Sequence, residues 1–213
     1  MIKTSFFTGL SFFIALNCVG QSQKYFEGKI IYQHEFKSLV SNLDDKVLKN
    51  ILGNGSILFF KEGNYYHEYD GGMFEFDLYN KADNKMYLKK RNNDTIYWSD
   101  CGIPGKKIKN FKFTAGKENI LGIVCNQLII QYEKTAQVHY YNSDSILTNP
   151  AWFTNFKLDG ENVIDQKEKS IFLKSENEYD HFTMISRAVK ISREKIPEKI
   201  FKIPANAILI KDE

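Results

Sequence analysis

The feature that most constrains this chain is an alternation of apolar and polar side chains with a period of two. Phe26, Ile30, Tyr32 and Phe36 fall on one side of an extended segment, while Glu27, Lys29, Gln33 and Glu35 fall on the other, with Ile31 the only interruption. Successive side chains of a strand point to opposite faces, so this is the pattern of a long strand with one buried face. Comparable segments recur at 56–61, 64–69, 73–79, 85–90, 95–98, 108–113, 120–133 and 137–141. Turn-forming groups separate them: Gly63-Asn64, Asp70-Gly71-Gly72, Asp83-Asn84, Asn92-Asn93-Asp94 and Ala115-Gly116. Strands recurring every ~8 to 12 residues make an antiparallel sheet, sandwich or barrel. The fold class read from this pattern is mainly β, of the α+β kind.

One segment breaks the alternation. Leu43, Val47, Leu48, Ile51 and Leu52 recur at helical spacing, with Asp44, Lys46, Lys49 and Asn50 on the opposite side. Ser41 and Asp44 form a capping-box pattern and Gly53 supplies a stop, which predicts an amphipathic helix over 42–52 lying against the sheet. After residue 141 the pattern weakens. Residues 142–150 read as a loop, 151–154 as a short strand and 160–168 as an irregular polar stretch, before strands return at 170–174, 181–186, 189–192 and 200–203. No internal repeat, linker or second domain boundary stands out.

The first twenty residues read as a secretory signal peptide. Lys3 gives a basic start and Phe6 to Leu16 an uncharged apolar run, too short to span a bilayer as a helix, which takes about 20 apolar residues. Cys18 and Gly20 put small residues at the minus-three and minus-one positions of a cut before Gln21. This reading places a signal peptide at 1–20 and a single β-rich domain at 21–213, exported to the periplasm or the extracellular space. The alternative makes Cys18 a lipidated anchor, although Ala15-Leu16-Asn17 lacks the small residue that usually precedes such a cysteine. No other stretch is apolar enough for a transmembrane helix, so the chain does not read as an integral membrane protein.

Without its first twenty residues the chain has 28 Lys and Arg, since Lys3 leaves the 29, against 26 Asp and Glu. That balance gives no electrostatic footprint for nucleic acid or an anionic membrane. His34, His67, His139 and His181 lie on different segments with no paired-ligand spacing, and no cysteine motif accompanies them, so neither a metal site nor a cofactor is expected. No nucleophile elbow, phosphate loop or dinucleotide fingerprint is present, and Glu176-Asn177-Glu178-Tyr179-Asp180 lacks the spacing and glycine of a calcium loop. The chain therefore reads as a non-catalytic protein. Cys101 and Cys125, the only cysteines beyond the signal region, form an even pair in an exported chain and are a candidate disulfide, with two buried thiols as the alternative.

Four short landmarks carry a family resemblance: Phe26-Glu27-Gly28-Lys29-Ile30-Ile31-Tyr32, Ile120-Leu121-Gly122-Ile123-Val124-Cys125, Ala151-Trp152-Phe153-Thr154 and Phe201-Lys202-Ile203-Pro204. In this order they resemble the GLPGLI-type envelope proteins of Bacteroidetes, themselves similar in architecture to LolA-type lipoprotein carriers. The defining Gly-Leu-Pro-Gly-Leu-Ile segment is replaced here by Leu158-Asp159-Gly160-Glu161-Asn162-Val163-Ile164, and Ile123 stands where the family usually has an aromatic residue. The resemblance implies a strongly curved antiparallel sheet, or half-open barrel, with one or more helices against its concave face, and it implies no enzymatic activity.

Aromatic residues make up 15% of the chain. Most fill the core of a sheet protein by default. A carrier-like fold, however, leaves an apolar groove between sheet and helix, and the residues placed to line it are Leu43, Val47, Leu48 and Ile51 from the helix. Phe74, Phe76, Leu78, Phe111, Phe113 and Trp152 would complete it from the remainder of the chain. Two functions follow from the two readings of that interior. An open groove makes the chain a binder of a lipid-like or acylated ligand, whereas a fully packed core makes it a module that docks on another envelope protein.

Overall fold

The computed structural model describes residues 24–212. The signal peptide read at 1–20 and its cleavage point lie outside the described residues. Six strands follow one another as neighbours from the start: β1 (Gly28–Ser38), β2 (Gly55–Lys61), β3 (Asn64–Tyr69), β4 (Phe74–Asn80), β5 (Lys85–Lys90) and β6 (Thr95–Asp100). A second run of neighbours comprises β7 (Asn110–Ile120), β8 (Ile123–Gln131), β9 (Ala136–Tyr141), β10 (Phe172–Glu178) and β11 (Phe182–Arg193). Each run is a meander of antiparallel pairs, and the two join along β1 and β11, from Gly28 opposite Arg193 to Ser38 opposite Phe182. A last strand, β12 (Ile208–Lys211), pairs in parallel with β6, so the twelve-stranded sheet is mixed rather than wholly antiparallel. Its order is β12-β6-β5-β4-β3-β2-β1-β11-β10-β9-β8-β7.

Alternation is obeyed closely in β1, where Ile30, Tyr32, His34 and Phe36 are buried in turn, and in β2, where Ser56, Leu58 and Phe60 are. Departures have local causes. The segment 120–133 is not one strand, because Leu121 and Gly122 take positive φ values of 53° and 83° and close a two-residue hairpin between β7 and β8. Such turns match the right-handed twist of the strands they join. Ala115-Gly116 is no turn between strands but lies within β7, at a register shift between Thr114 and Glu118. The segments 181–186 and 189–192 are one strand, β11, with an irregularity opposite Ile31 and Tyr32.

The helices also differ from expectation. Helix α1 (Asp45–Leu52) begins after Asp44, whose carboxylate accepts a hydrogen bond from the Lys46 amide at 2.8 Å, so Asp44 rather than Ser41 is the cap and Leu43 stays outside the helix. Gly53, at φ 101°, ends it. The stretch 151–154 is not a strand: Pro150–Phe153 is a 3-10 turn, with Pro150 at its start and the Asn149 side chain accepting from the Ala151 amide. The stretch 160–168 is a true helix, α2 (Glu161–Glu168). Residues 200–203 are not a strand either, since Glu198–Phe201 is a 3-10 turn and the closing strand comes later.

The register sorts side chains onto two faces. On one, the segment between β9 and β10 packs Ile146, Phe153, Phe156 and Ile171 onto Tyr32, Leu58, Phe60 and Tyr79, with Phe156 stacked 4.3 Å from Tyr79. On the other, Ile196, Phe201 and their neighbours cover Phe76, Leu78, Tyr87 and Ile96. Among the described residues no helix is long and apolar enough to cross a membrane.

Candidate functional site

Helix α2 is amphipathic in the inverted sense. Glu161, Ile164, Asp165 and Glu168 are spaced so that they share one face of a helix, and all four line an inner hollow of about 240 Å³, while Val163, Gln166 and Lys167 face solvent. The opposite wall comes from the sheet. Tyr65 and His67 on β3, Asp77 on β4, Met86 on β5 and His139 on β9 project into the same space. Thus β4 and β9, with β3, β2, β1, β11 and β10 between them in the sheet, contribute to one chamber.

Its electrostatics are unusual for an interior. Four carboxyl groups line the hollow without a lysine or arginine. His139 Nδ1 pairs with Glu168 Oε1 at 2.9 Å in a nearly dry setting. Burial works against the imidazolium, yet the adjacent Glu168 carboxylate outweighs it and raises the His139 pKa. Burial pushes Glu161 up to about 7, opposed by His139 and reinforced by Glu168 and Asp159. Asp165 is held well above the usual carboxylate range by burial and by Glu161 and Glu168. An isolated charge is costly to bury, so such carboxyls hold their protons until something positive arrives. Thr148, only 1% exposed, is among the residues that line the same hollow, and its Oγ1 has no hydrogen-bond partner.

Beside the chamber runs a chain of polar contacts. Ser56 Oγ lies 3.0 Å from His67 Nε2, His67 Nδ1 lies 3.4 Å from the Tyr69 hydroxyl, and Tyr69 donates to Asp77 Oδ2 at 2.5 Å. Burial, with His34 nearby, pushes His67 down to about 3, so it is neutral. Since Tyr69 spends its proton on Asp77, the network assigns the His67 proton to Nδ1 and leaves Nε2 to accept from Ser56. Burial pushes Asp77 up to about 6 despite the bond from Tyr69.

A second, outer hollow of about 410 Å³ adjoins the first and shares His67, Phe172 and Asn177 with it. Its walls are mostly apolar: Tyr32, Leu52, Phe74, Tyr179, Phe182 and Met184. His34 also lines it, 3% exposed, with neither ring nitrogen hydrogen-bonded. Burial pushes this imidazole down to about 4, only partly offset by Asp70, so it too is neutral.

Of the residues expected to line a groove, only Phe74 lies on either hollow. A register shift between Phe74 and Phe76 inserts Glu75 as an extra residue, so the two rings, two positions apart, face opposite sides. Phe76 and Leu78 are packed under the C-terminal segment. Leu48 is buried, whereas Val47 and Ile51 are exposed on the outer side of α1, and Leu43 is half-buried ahead of it. Phe111 packs with Ile164 and Tyr141, with the Lys167 ammonium 4.7 Å above its ring. Phe113 is exposed, and Trp152 packs edge-on to Tyr25 and against Phe60. Helix α2, which supplies the carboxyls, escaped the hydrophobic pattern; its visible trace is the spacing of Glu161, Asp165 and Glu168.

The expected disulfide is absent. Cys101 and Cys125 are both free, buried thiols. Cys101 follows β6 and Cys125 lies in β8, with β5, β4, β3, β2, β1, β11, β10 and β9 between those strands. Burial pushes the Cys101 thiol up to about 12 and also raises Cys125.

Comparison with known proteins gives a fold likeness and no family. No family model matches the chain, and no curated protein matches it. Among solved structures, the fold is similar to that of PNGF-II, with a TM-score of 0.51 and 14% sequence identity over 88% of this chain. The chain spans about a third of that protein's length, 32%.

Proposed function

We propose that this chain is an exported, non-catalytic binding protein whose outer hollow holds the apolar body of a lipid-like or acylated ligand. The carrying observation is the 410 Å³ hollow itself, lined by aromatic and aliphatic side chains around one buried, unsatisfied imidazole, His34. Its volume falls within the ~300–1,000 Å³ typical of ligand sites, which pair mostly apolar walls with a few polar groups that fix orientation. A neutral imidazole offers one donor and one acceptor, which suits an ester, amide or hydroxyl near the start of an acyl chain. Strands as distant in the sheet as β4 and β9 reaching one chamber supports the curved, half-open arrangement of carrier proteins that the sequence resembles. Export rests on the leader read at 1–20. Ser56, the hydroxyl nearest a histidine nitrogen, lines neither hollow, which favours binding over nucleophilic chemistry.

The test is uptake of a fluorescent fatty-acid probe. Wild-type protein should take it up saturably, Met184→Trp should block it by filling the hollow, and His34→Leu should weaken it. Native mass spectrometry of protein purified from its own envelope would identify the bound species. Absence of saturable uptake, with no co-purifying ligand, would favour the alternative, a module that docks on another envelope protein.

A further inference from the structure

The inner hollow presents a separate problem of chemistry. A fold gains nothing from aiming Glu161 and Asp165 at the same space one helical turn apart, because both must be dried and the two cannot ionise together without repulsion. The only cationic partner on the walls, His139, is already engaged by Glu168. Asp77 takes its hydrogen bond from Tyr69 and has no cation beside it on those walls. Thr148 Oγ1 points to the same conclusion independently: a buried hydroxyl left without a partner costs stability unless a bound group completes it. Around these polar atoms stand the rings of Phe60, Tyr65, Phe153, Phe156 and Phe172 and the thioether of Met86.

Carboxylates to neutralise charge, a free hydroxyl oxygen to accept a hydrogen bond and aromatic faces to take an alkyl stem or a cation together define one ligand chemistry. A metal ion fits less well, since among the described residues no three His, Cys, Asp or Glu side chains are grouped to hold one. An anion would meet four carboxyls. The volume of about 240 Å³ sits just under the ~300 Å³ floor for complete drug-sized sites, which suits a head group or a small free molecule.

We infer that the inner hollow is a binding site for a primary alkylammonium ion, held by Glu161 and Asp165 of α2 with Thr148 Oγ1 accepting a third N–H. An ammonium carries three donors, no acceptor and the positive charge that lets Glu161 and Asp165 release their protons to solvent and accept its N–H groups. Its alkyl stem lies along the phenylalanine rings, where a cation also gains from the π face. The site does not depend on what the outer hollow holds.

Calorimetric titration with n-butylammonium, using 1-butanol as the neutral ligand of equal heavy-atom count, tests it. The ammonium should bind one to one and about 10- to 100-fold tighter than the alcohol, the ratio expected when charge-assisted hydrogen bonds replace neutral ones. Glu161→Gln and Asp165→Asn should each weaken it by about tenfold or more while leaving the melting temperature unchanged or raised, because each relieves an unfavourable buried carboxyl. Thr148→Val should weaken it without destabilising the fold, and Met184→Trp in the outer hollow should leave it unaltered. The inference is overturned if the alcohol binds as well as the ammonium, or if neither binds. It is equally overturned if the carboxamide variants bind normally but melt lower, which would make the carboxyls structural, or if Met184→Trp abolishes amine binding, which would put the amine in the outer hollow.

Discussion

His139 Nδ1 stands 2.9 Å from Glu168 Oε1, with side chains 7% and 3% exposed, and ties β9 to the last turn of α2. Glu168 sits at the C-terminal end of its helix, where the backbone dipole disfavours negative charge, so it depends on this partner. Removing one member of a buried pair leaves the other uncompensated. His139→Ala and Glu168→Ala should therefore each cost about 3–5 kcal/mol, and Glu168→Gln, which keeps a hydrogen bond, distinctly less. Urea unfolding midpoints at constant slope measure this.

Stability should fall as pH rises from 6.5 to 8. The folded-state pKa values of Glu161, Asp165 and His139 are all raised, so in this window the folded chain still holds protons that the unfolded chain has released. His34 and His67, whose pKa values are lowered, act in the opposite sense, mostly below their ordinary value of about 6.5, where the unfolded chain would bind most of the protons, and their opposition fades as pH rises through the window. Each excess proton is worth on the order of 1 kcal/mol per pH unit. Asp165→Asn should flatten the slope. Denaturant titrations at several pH values decide it, and a stability that rose over this window would contradict the assignment.

The two phenylalanines separated by the irregularity in β4 should behave differently. Phe76→Ala, in the packed layer under the C-terminal segment, should cost about 3–5 kcal/mol and leave probe affinity per folded molecule unchanged. Phe74→Ala, on the wall of the outer hollow, should cost less and weaken probe binding. Parallel unfolding and fluorescence titrations separate the two.

Cys101 and Cys125 should resist alkylation in the native protein, because both are buried and their thiolates are disfavoured. Both should react fully once the chain is denatured without reductant. Mass spectrometry of the alkylated protein counts them, and a pair that stayed unmodified until reduced would restore the disulfide.

What was legible in the sequence follows what each segment buries. The strands from Phe26 to Asp100 declared themselves because one face is apolar and the other polar, and α1 did so by the same logic, since its seated residue is Leu48. By contrast β7, mostly exposed, and its hairpin to β8 were misread. Helix α2 was hidden because its inward face carries Glu161, Asp165 and Glu168, with Ile164 its only apolar residue there, while Val163 points outward. A hydrophobic pattern cannot reveal a helix built to keep carboxyls inside. The extra residue in β4 was hidden for another reason. Phe74-Glu75-Phe76 alternates as an ordinary strand does, and only the pairing with Lys89 and Lys90 exposes the slip that parts the two rings.

The join between β1 and β11 also sets the order in which this molecule can assemble. Each meander closes through hairpins of near neighbours, whereas the join must bring Gly28 to Arg193 across most of the chain, and that entropy is lost before any contact repays it. Asp77 belongs to the first meander, and His139 and α2 to the second. Before the join forms, the carboxyls remain hydrated and ionise as they would in water. Closing the two halves dries them at a late and slow step, so the proton uptake that neutralises the interior belongs to the folding barrier, and the rate of refolding should itself depend on pH.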